Sequence, residues 1–175
     1  MSKQDNAHDE PTQPGSVDVG ELSLWFALTR LQERYVAAID DDRLEQWPDF
    51  FLEDAVYEIV PKENVDLGLP AGVMHCFGRA MMRDRITSLR HANVYEPQTY
   101  RHFTSALQFQ YEGGGAIRMR SNYLVIRTLT NGESAVYQAG VYDDVVVSTC
   151  GGWRYRSKRA IFDTSRVHTL LAIPV

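Results

Sequence analysis

The sequence predicts a single α+β domain in which about three N-terminal helices precede a long antiparallel meander. Helical spacing dominates from Leu24 to about residue 90, and two-residue alternation dominates from Phe103 onward. The 175 residues are enough for one well-buried core. A sheet this long, with three helices to cover one face, should curl around them. We therefore expect a cone-shaped, curved antiparallel sheet.

The helices are predicted in the first half of the chain. Apolar side chains recur at three- and four-residue steps in the first helix: Leu24, Leu28, Leu31, Tyr35 and Ile39. The acidic run 40–42 should end this helix and cap a short second one, which contains Pro48. The segment RAMMRDRITSLR, residues 79–90, predicts a third helix.

The strands follow a different pattern. Residues 54–60, DAVYEIV, alternate as a first strand, and the segment 61–72 is predicted to be a loop. Three turn signals divide the second half into four further strands: Gly113–Gly115, Asn131–Gly132 and Cys150–Gly152. Residues 1–19 are polar and are expected to form a flexible tail, which leaves residues 20–175 as the domain.

Composition excludes several classes of function. The net charge of −5 argues against binding to nucleic acid or to an anionic membrane. No apolar run reaches the length of a membrane span, and the N-terminus lacks the core of a signal peptide. Cys76 and Cys150 are the only cysteines, which fits a reduced, cytoplasmic protein.

Metal and nucleotide motifs are missing from the sequence. Its five histidines include no helical pair at metal-binding spacing, and there is neither an HExxH nor a Cys-x-x-Cys motif. A Rieske iron–sulfur centre needs two cysteines and two histidines in paired spacing. The run Gly113–Gly115 lacks the Lys-Ser/Thr of a P-loop. We expect no cofactor or metal to be bound by this chain.

A general-base pocket inside the cone is the one enzymatic possibility. Glu58 lies on the first strand, Asp54 and Tyr57 are near it, and His102 stands at the start of the meander. A buried carboxylate or imidazole there could remove a proton, as in an isomerase or dehydratase, and the same cavity could bind a small ligand without chemistry. The alternative is that these groups lie at a pocket rim or an interface, paired with arginines.

The closing strand, CGGWRYRSKRAIFD, concentrates basic charge. On strict alternation, three basic side chains share an outer face: Arg154, Arg156 and Lys158. Arg159 would then lie on the aromatic face with Trp153, where it needs a carboxylate. Asp163 is about 13 Å away along the strand. We therefore expect the carboxylate to come from another element.

Several segments together resemble a known family. The segment RYVAAIDDDRLEQWPDFFLEDAVYEIV is similar to the opening of the small, or beta, subunits of aromatic-ring-hydroxylating dioxygenases, which are Rieske non-heme iron oxygenases. The similarity continues through MMRDRITSLR, YEPQTYRHFTS, SNYLVIRT and AGVYDDVVV, and it ends at GGWRYRSKRAIFD, with Trp153, Arg159 and Asp163. It covers residues 22–175 and implies the cone-shaped fold of nuclear transport factor 2, a cystatin-like fold.

The resemblance implies a non-redox role in aromatic compound catabolism. In this family the large, or alpha, subunit carries the Rieske 2Fe-2S cluster and the mononuclear iron, and electrons arrive from NADH through a reductase. The small subunit usually forms a trimer beneath three large subunits, an α3β3 assembly. The segment VPKENVDLGLP is most similar to oxygenases acting on carboxylated aromatics such as salicylate or terephthalate.

The subunit role that the resemblance implies calls for interface residues, and these can only be inferred from residue type. Aromatic and arginine side chains that a monomer would leave without partners are the candidates: Tyr95, Tyr100, Arg101, His102, Arg118, Arg120, Trp153 and Arg159. Each of them could instead belong to the core or to the solvated surface. Two function classes therefore stand side by side, a subunit of an oxygenase and a free-standing isomerase, dehydratase or ligand-binding protein.

Overall fold

The structure is a computed structural model that describes residues 18–70, 72–92, 97–163 and 173–175. The predicted tail falls almost entirely outside these ranges, as does the interface candidate Tyr95. Within these ranges, helices occupy five segments: α1 (Val19–Asp40), a 3₁₀ helix (Leu44–Phe50), α2 (Lys62–Asp66), α3 (Gly78–His91) and a single 3₁₀ turn (Gly113–Gly115).

The strands form one curved, open sheet. Its six strands are β1 (Phe51–Pro61), β2 (Met74–Phe77), β3 (Gln98–Tyr111), β4 (Ala116–Leu129), β5 (Ser134–Thr149) and β6 (Gly152–Phe162). Their spatial order is β2-β1-β6-β5-β4-β3. Neighbouring strands are antiparallel except β1 and β6, which are parallel. The predicted α+β class is confirmed, and the one parallel pair departs from the expected antiparallel sheet because no tight turn joins β1 to β6.

Local sequence signals set the ends of α1. Asp18 caps the helix by accepting a hydrogen bond from the backbone N–H of Gly20 at 2.9 Å. At the other end, Asp42 has a φ of 55°, a left-handed conformation that stops the helix. Pro48 lies in the following 3₁₀ helix, as its position in a short helical segment predicted. The acidic run therefore ends α1 as predicted, but the prediction that it caps the next helix is wrong, because the N-cap of the 3₁₀ helix is Arg43 and no side chain caps it.

The predicted turns of the meander are confirmed. Gly113–Gly115 joins β3 to β4, Asn131–Gly132 joins β4 to β5, and the turn at Cys150 joins β5 to β6. Gly132 has a φ of 86°, which glycine adopts without strain. Two short elements, α2 and β2, lie in the segment predicted to be a loop or directly after it. They are too short to give a clear periodic pattern.

The core lies between the inner face of the sheet and the helices. Its largest fully buried side chains are mostly aromatic: Tyr35, Trp47, Phe51, Tyr57, Tyr142 and Tyr155. Many of these rings meet edge to face, as do Trp47 and Tyr57 at a centroid distance of 5.0 Å. Because most of these rings are tyrosines, the interior also has to accommodate hydroxyl groups.

A bulge in β6 reverses the alternation that the sequence suggested. The register against β5 shifts between Val146↔Tyr155 and Val145↔Ser157, so Arg156 is an extra residue. Lys158 consequently points inward and is fully buried, whereas Arg159 lies on the outer face. The predictions of an outward Lys158 and an inward Arg159 are both wrong, because one inserted residue moves every following side chain to the opposite face.

Candidate functional site

One residue from each of the six strands stands in direct register across the outer face. From β2 to β3 they are His75, Glu58, Arg159, Asp143, Arg120 and Gln108, and we call this set the polar row. Its formal charges alternate from Glu58 onward until the neutral Gln108. Side chains in register on neighbouring strands are close enough to interact, so the row is a continuous electrostatic feature.

Glu58 links three strands of the polar row. Its carboxylate lies 3.1 Å from His75 Nδ1 and 3.3 Å from Arg159 Nε. Arg159 thus finds its carboxylate on another element, as predicted, although it does so on the outer face rather than among the aromatic rings. His75 points outward while Cys76 is buried, which follows the strand alternation.

Asp143 is held by an arginine diagonal to it. Arg118 donates two hydrogen bonds to its carboxylate, at 2.8 and 2.6 Å. These hydrogen bonds raise the pKa of Arg118 above its ordinary value. Arg120 faces Asp143 in register but is exposed and has no ion-pair partner within the described residues. A shallow cavity of about 250 Å³ lies beside these groups, lined in part by Gln108, Arg118 and Arg120.

The inner face holds a buried ion pair. Lys158 Nζ donates to Asp144 Oδ2 at 2.9 Å, and neither side chain is exposed. The ammonium also lies 3.5 Å from the ring centroid of Tyr142, and the rings of Tyr35 and Tyr155 are close. Burial raises the pKa of Asp144 to about 6, although the Lys158 ammonium opposes this. The same burial lowers the pKa of Lys158.

His102 pairs with a carboxylate that the sequence analysis did not consider. Asp40, at the end of α1, accepts from the His102 backbone N–H at 2.9 Å and lies 2.6 Å from its Nδ1. The His102 side chain is fully buried, and its Nε2 has no hydrogen-bond partner within the described part of the chain. The contact ties the edge strand β3 to α1.

The predicted general-base constellation does not form. Glu58 lies on the outer face of β1, whereas His102 lies on the inner side of β3, with β6, β5 and β4 between them. Asp54 is exposed on β1. Tyr57 is buried on the inner side, where its hydroxyl donates to the Val175 carbonyl at 2.9 Å and accepts from the Val175 backbone N–H at 2.8 Å. Strand alternation separates residues that are neighbours in the sequence.

The remaining interface candidates occupy different environments. Tyr100 is buried and stacks on Tyr137 at a centroid distance of 5.0 Å. Trp153 is half-buried and packs against the core, whereas Arg101 is exposed and lies 3.7 Å from Asp41. Arg118, Arg120 and Arg159 share the outer face. Whether any of these residues contacts a partner stays a prediction.

The side chains described do not fit a metal centre. Within the described ranges, no group of three or more His, Cys, Asp or Glu residues could hold a metal ion. Cys76 lies in β2 and Cys150 in the turn between β5 and β6, and both are free thiols. They do not supply the paired donors of a Rieske centre. No described helix is long and apolar enough to cross a membrane.

Comparison with known proteins identifies the fold and the family. Residues 21–159 match the SnoaL-like domain family. The chain is 57% identical to the anthranilate 1,2-dioxygenase small subunit of Burkholderia cepacia, over 89% of this chain and 96% of that protein. It is 34% identical to a beta subunit of the terminal oxygenase component of terephthalate 1,2-dioxygenase from a Comamonas species, over 81% of this chain and 92% of that protein.

A solved structure agrees with these sequence matches. It is assigned as the beta subunit of an aromatic-ring-hydroxylating dioxygenase from Novosphingobium aromaticivorans, and it superposes with a TM-score of 0.81. The two chains are 37% identical, and the match covers 90% of this chain and all of the other. The fold is thus the SnoaL-like, or nuclear transport factor 2-like, cone. Within that class, the chain belongs to the small, or beta, subunits of aromatic-ring-hydroxylating dioxygenases, which confirms the resemblance found in the sequence.

Proposed function

We propose that this chain assembles with and stabilises an iron-bearing large subunit, carrying no redox centre of its own, in an α3β3 oxygenase. The observation that carries this proposal is the 57% identity to a dioxygenase small subunit over 89% of this chain. Small-subunit relatives imply a large subunit as partner. A trimer of small subunits as the base of the assembly is the arrangement that the family resemblance implies.

The substrate of the complete oxygenase is proposed to be an aromatic carboxylate. The relatives at 57% and 34% identity are named for anthranilate and terephthalate, and both compounds are benzene rings bearing a carboxylate. The sequence segment VPKENVDLGLP pointed to the same substrate class. Anthranilate is the first compound to test because the corresponding relative has the higher identity.

The redox groups are assigned to the partners. The large subunit would hold the Rieske 2Fe-2S cluster and the mononuclear iron, and NADH would supply electrons through a reductase. The donor set of this chain supports the assignment, since its described residues fit neither centre. Two free thiols are compatible with a cytoplasmic location, which we also propose.

Co-expression tests the assembly directly. The untagged chain is produced together with an affinity-tagged large subunit from the same genome, and the purified material is analysed for mass and iron. We expect a high-mass complex containing both chains and iron, active on an aromatic carboxylate with NADH and reductase. The same chain expressed with a tagged unrelated protein is the control. Failure of the two subunits to co-purify would overturn the subunit role.

The geometry does not support the alternative that this chain is a free-standing isomerase or dehydratase. It depended on His102 acting with Glu58 or Asp54, and these residues lie on different parts of the sheet. His102 is held by Asp40, and it does not line the neighbouring cavity of about 240 Å³ formed in part by Asp40, Gln98 and Tyr100. The Asp40–His102 contact is accounted for by its structural role of joining β3 to α1.

A further inference from the structure

Together with Arg118, which lies beside it on β4, the polar row has more arginine than carboxylate at its β4 end. Glu58 is shared by His75 and Arg159, and Asp143 is engaged by both guanidinium nitrogens of the diagonal Arg118. Arg120 is left exposed, with no ion-pair partner within the described residues. The guanidinium of Arg120 on β4 is therefore available to a partner, because Asp143, the carboxylate in register with it, is already hydrogen-bonded to Arg118.

The order of charges across the sheet is self-complementary. From β2 to β3 the row reads histidine, negative, positive, negative, positive, neutral. A second copy facing this sheet about a two-fold axis parallel to the strands presents the same row in reverse. Glu58 then faces Arg120 of the partner subunit, and Arg159 faces Asp143 of the partner subunit. Every formal charge meets one of opposite sign.

The same pairs arise in a closed ring of three copies. In such a ring, the half of the row on β1 and β6 of one copy contacts the half on β5 and β4 of the neighbouring copy. Glu58 therefore again faces Arg120 of the partner subunit. Each contact in such a ring joins two different halves of the same surface. The charges of the row are therefore complementary both in a two-fold pair and in a ring of three copies. The ring is compatible with the trimeric base proposed above.

The surroundings of the row suit a protein interface. Half-buried valines flank it on the outer face, at Val56, Val141 and Val145. Exposed rings stand near the two edges of the sheet, Phe77 with 64% and Phe103 with 57% of their surface accessible. Six strands about 4.8 Å apart make the row about 24 Å long. A standard interface buries about 800 Å² per partner, which corresponds to a patch of similar width.

We propose that the polar row is the surface through which copies of this chain associate, with Glu58 of one copy paired to Arg120 of the next. This inference rests on the proposed function, because it assigns a surface to the self-association within the oxygenase. Beyond the proposed function, the inference names the residues that form the contact between copies. It also explains why a second copy of this chain binds the row, since the order of charges is self-complementary.

A double-mutant cycle tests the pairing. Glu58→Gln, Arg120→Gln and the double variant are made in the full chain, and self-association is measured by sedimentation. We expect each single variant to associate about tenfold more weakly, and the double variant to be no weaker than either single one, because each change removes the same pair. Raising NaCl from about 0.1 M to about 1 M should weaken wild-type association and affect Arg120→Gln less.

The matched control is Arg30→Gln, an exposed arginine on α1 that lies away from the sheet face and pairs with Glu33. It should associate like wild type, and circular dichroism should show that all variants keep the wild-type secondary structure. The pairing would be overturned if Arg120→Gln associated as strongly as wild type. It would also be overturned if the double variant lost affinity by the product of the two single losses.

Native mass spectrometry of the complex with the large subunit separates this inference from the proposed function. If wild type fails to bind the large subunit, the proposed function fails. If the complex forms and holds several small subunits, but Glu58→Gln and Arg120→Gln leave their contact unchanged, only the polar-row inference fails. A complex with a single small subunit would also overturn it.

Discussion

The buried ammonium of Lys158 is surrounded by the carboxylate of Asp144 and by the rings of three tyrosines. Removing two charges from water is costly, and the short contact to Asp144 offsets that cost only while both partners are present. The tyrosine faces contribute further attraction to the cation. Asp144 and Lys158 should therefore behave as one unit, in which loss of a single member is worse than loss of both.

Replacing Lys158 with methionine is expected to destabilise the chain by about 3–5 kcal/mol at about pH 8, because Asp144 is left as a buried, unpaired carboxylate. The Asp144→Asn/Lys158→Met double variant should recover most of that loss. Urea unfolding of the two variants and wild type measures this difference. A single variant as stable as the double variant would contradict the expectation.

The pH dependence of this effect follows from the raised pKa of Asp144, about 6 in the folded chain. The unfolded value is about 3.9, so the contribution of Asp144 to stability is fully present below about pH 4 and lost as the pH rises through 6. Without Lys158 that pKa should rise further. The cost of Lys158→Met should therefore be smaller at about pH 5 than at about pH 8. A cost independent of pH over this interval would argue against the assignment.

His102→Ala should lower stability without changing the affinity for the large subunit. The change leaves Asp40 without the imidazole it bonds at 2.6 Å, and such a loss costs about 1–3 kcal/mol. Thermal unfolding measures the loss, and the exposed neighbour Arg101→Ala is the control for stability. Weaker binding to the large subunit in folded His102→Ala would instead support its place among the interface residues.

At the scale of elements, the contact between β5 and β6 depends on a glycine. A Cβ added at Gly140 would lie 2.0 Å from the backbone oxygen of Ile161. The two strands can therefore keep their register only with a hydrogen at this position. This close contact between Gly140 and Ile161 lies near the end of β6, after the bulge that turns the Lys158 side chain inward.

Gly140→Ala is expected to destabilise the sheet by at least about 1–3 kcal/mol, because the backbone must move to admit the methyl group. The matched control is Gly113→Ala in the turn between β3 and β4, where an added Cβ meets nothing within 4 Å. That control should stay within about 0.5 kcal/mol of wild type. Equal melting temperatures for the two variants would show that β5 and β6 adapt to the added methyl.

For the whole molecule, the distribution of metal between subunits gives a further prediction. The chain purified alone should contain far less than one iron atom per chain, whereas the complex with the large subunit should contain iron and show the absorption of a Rieske cluster. Elemental analysis of both preparations checks this expectation, with the same buffers and columns for each. Stoichiometric iron in the isolated chain would contradict the assignment of the redox groups to the partner.

The predictability of the fold differed between its parts. Long periodic segments such as α1, and turns with strong local signals such as Asn131–Gly132, were predicted correctly because their determinants lie within a few residues. The short elements α2 and β2 were missed. The bulge at Arg156 was missed as well, because an extra residue is defined only against the neighbouring strand.

The candidate site was only partly predictable for the same reason. The sequence identified Arg118, Arg120 and Arg159 as arginines in need of partners, and it required a carboxylate for Arg159 from another element. It did not identify Glu58 as that partner or place His75 and Asp143 beside it. Strand pairing between distant segments makes those contacts.

The sequence by itself determined the α+β class, the order of helices and meander, and the family, because these depend on local periodicity and on motif order. Only the tertiary structure decided that Lys158 is buried with Asp144, that Asp40 holds His102, and that six strands align the polar row. Register and bulges fix which side chains share a face. They arise from backbone pairing over long sequence distances, which no local pattern specifies.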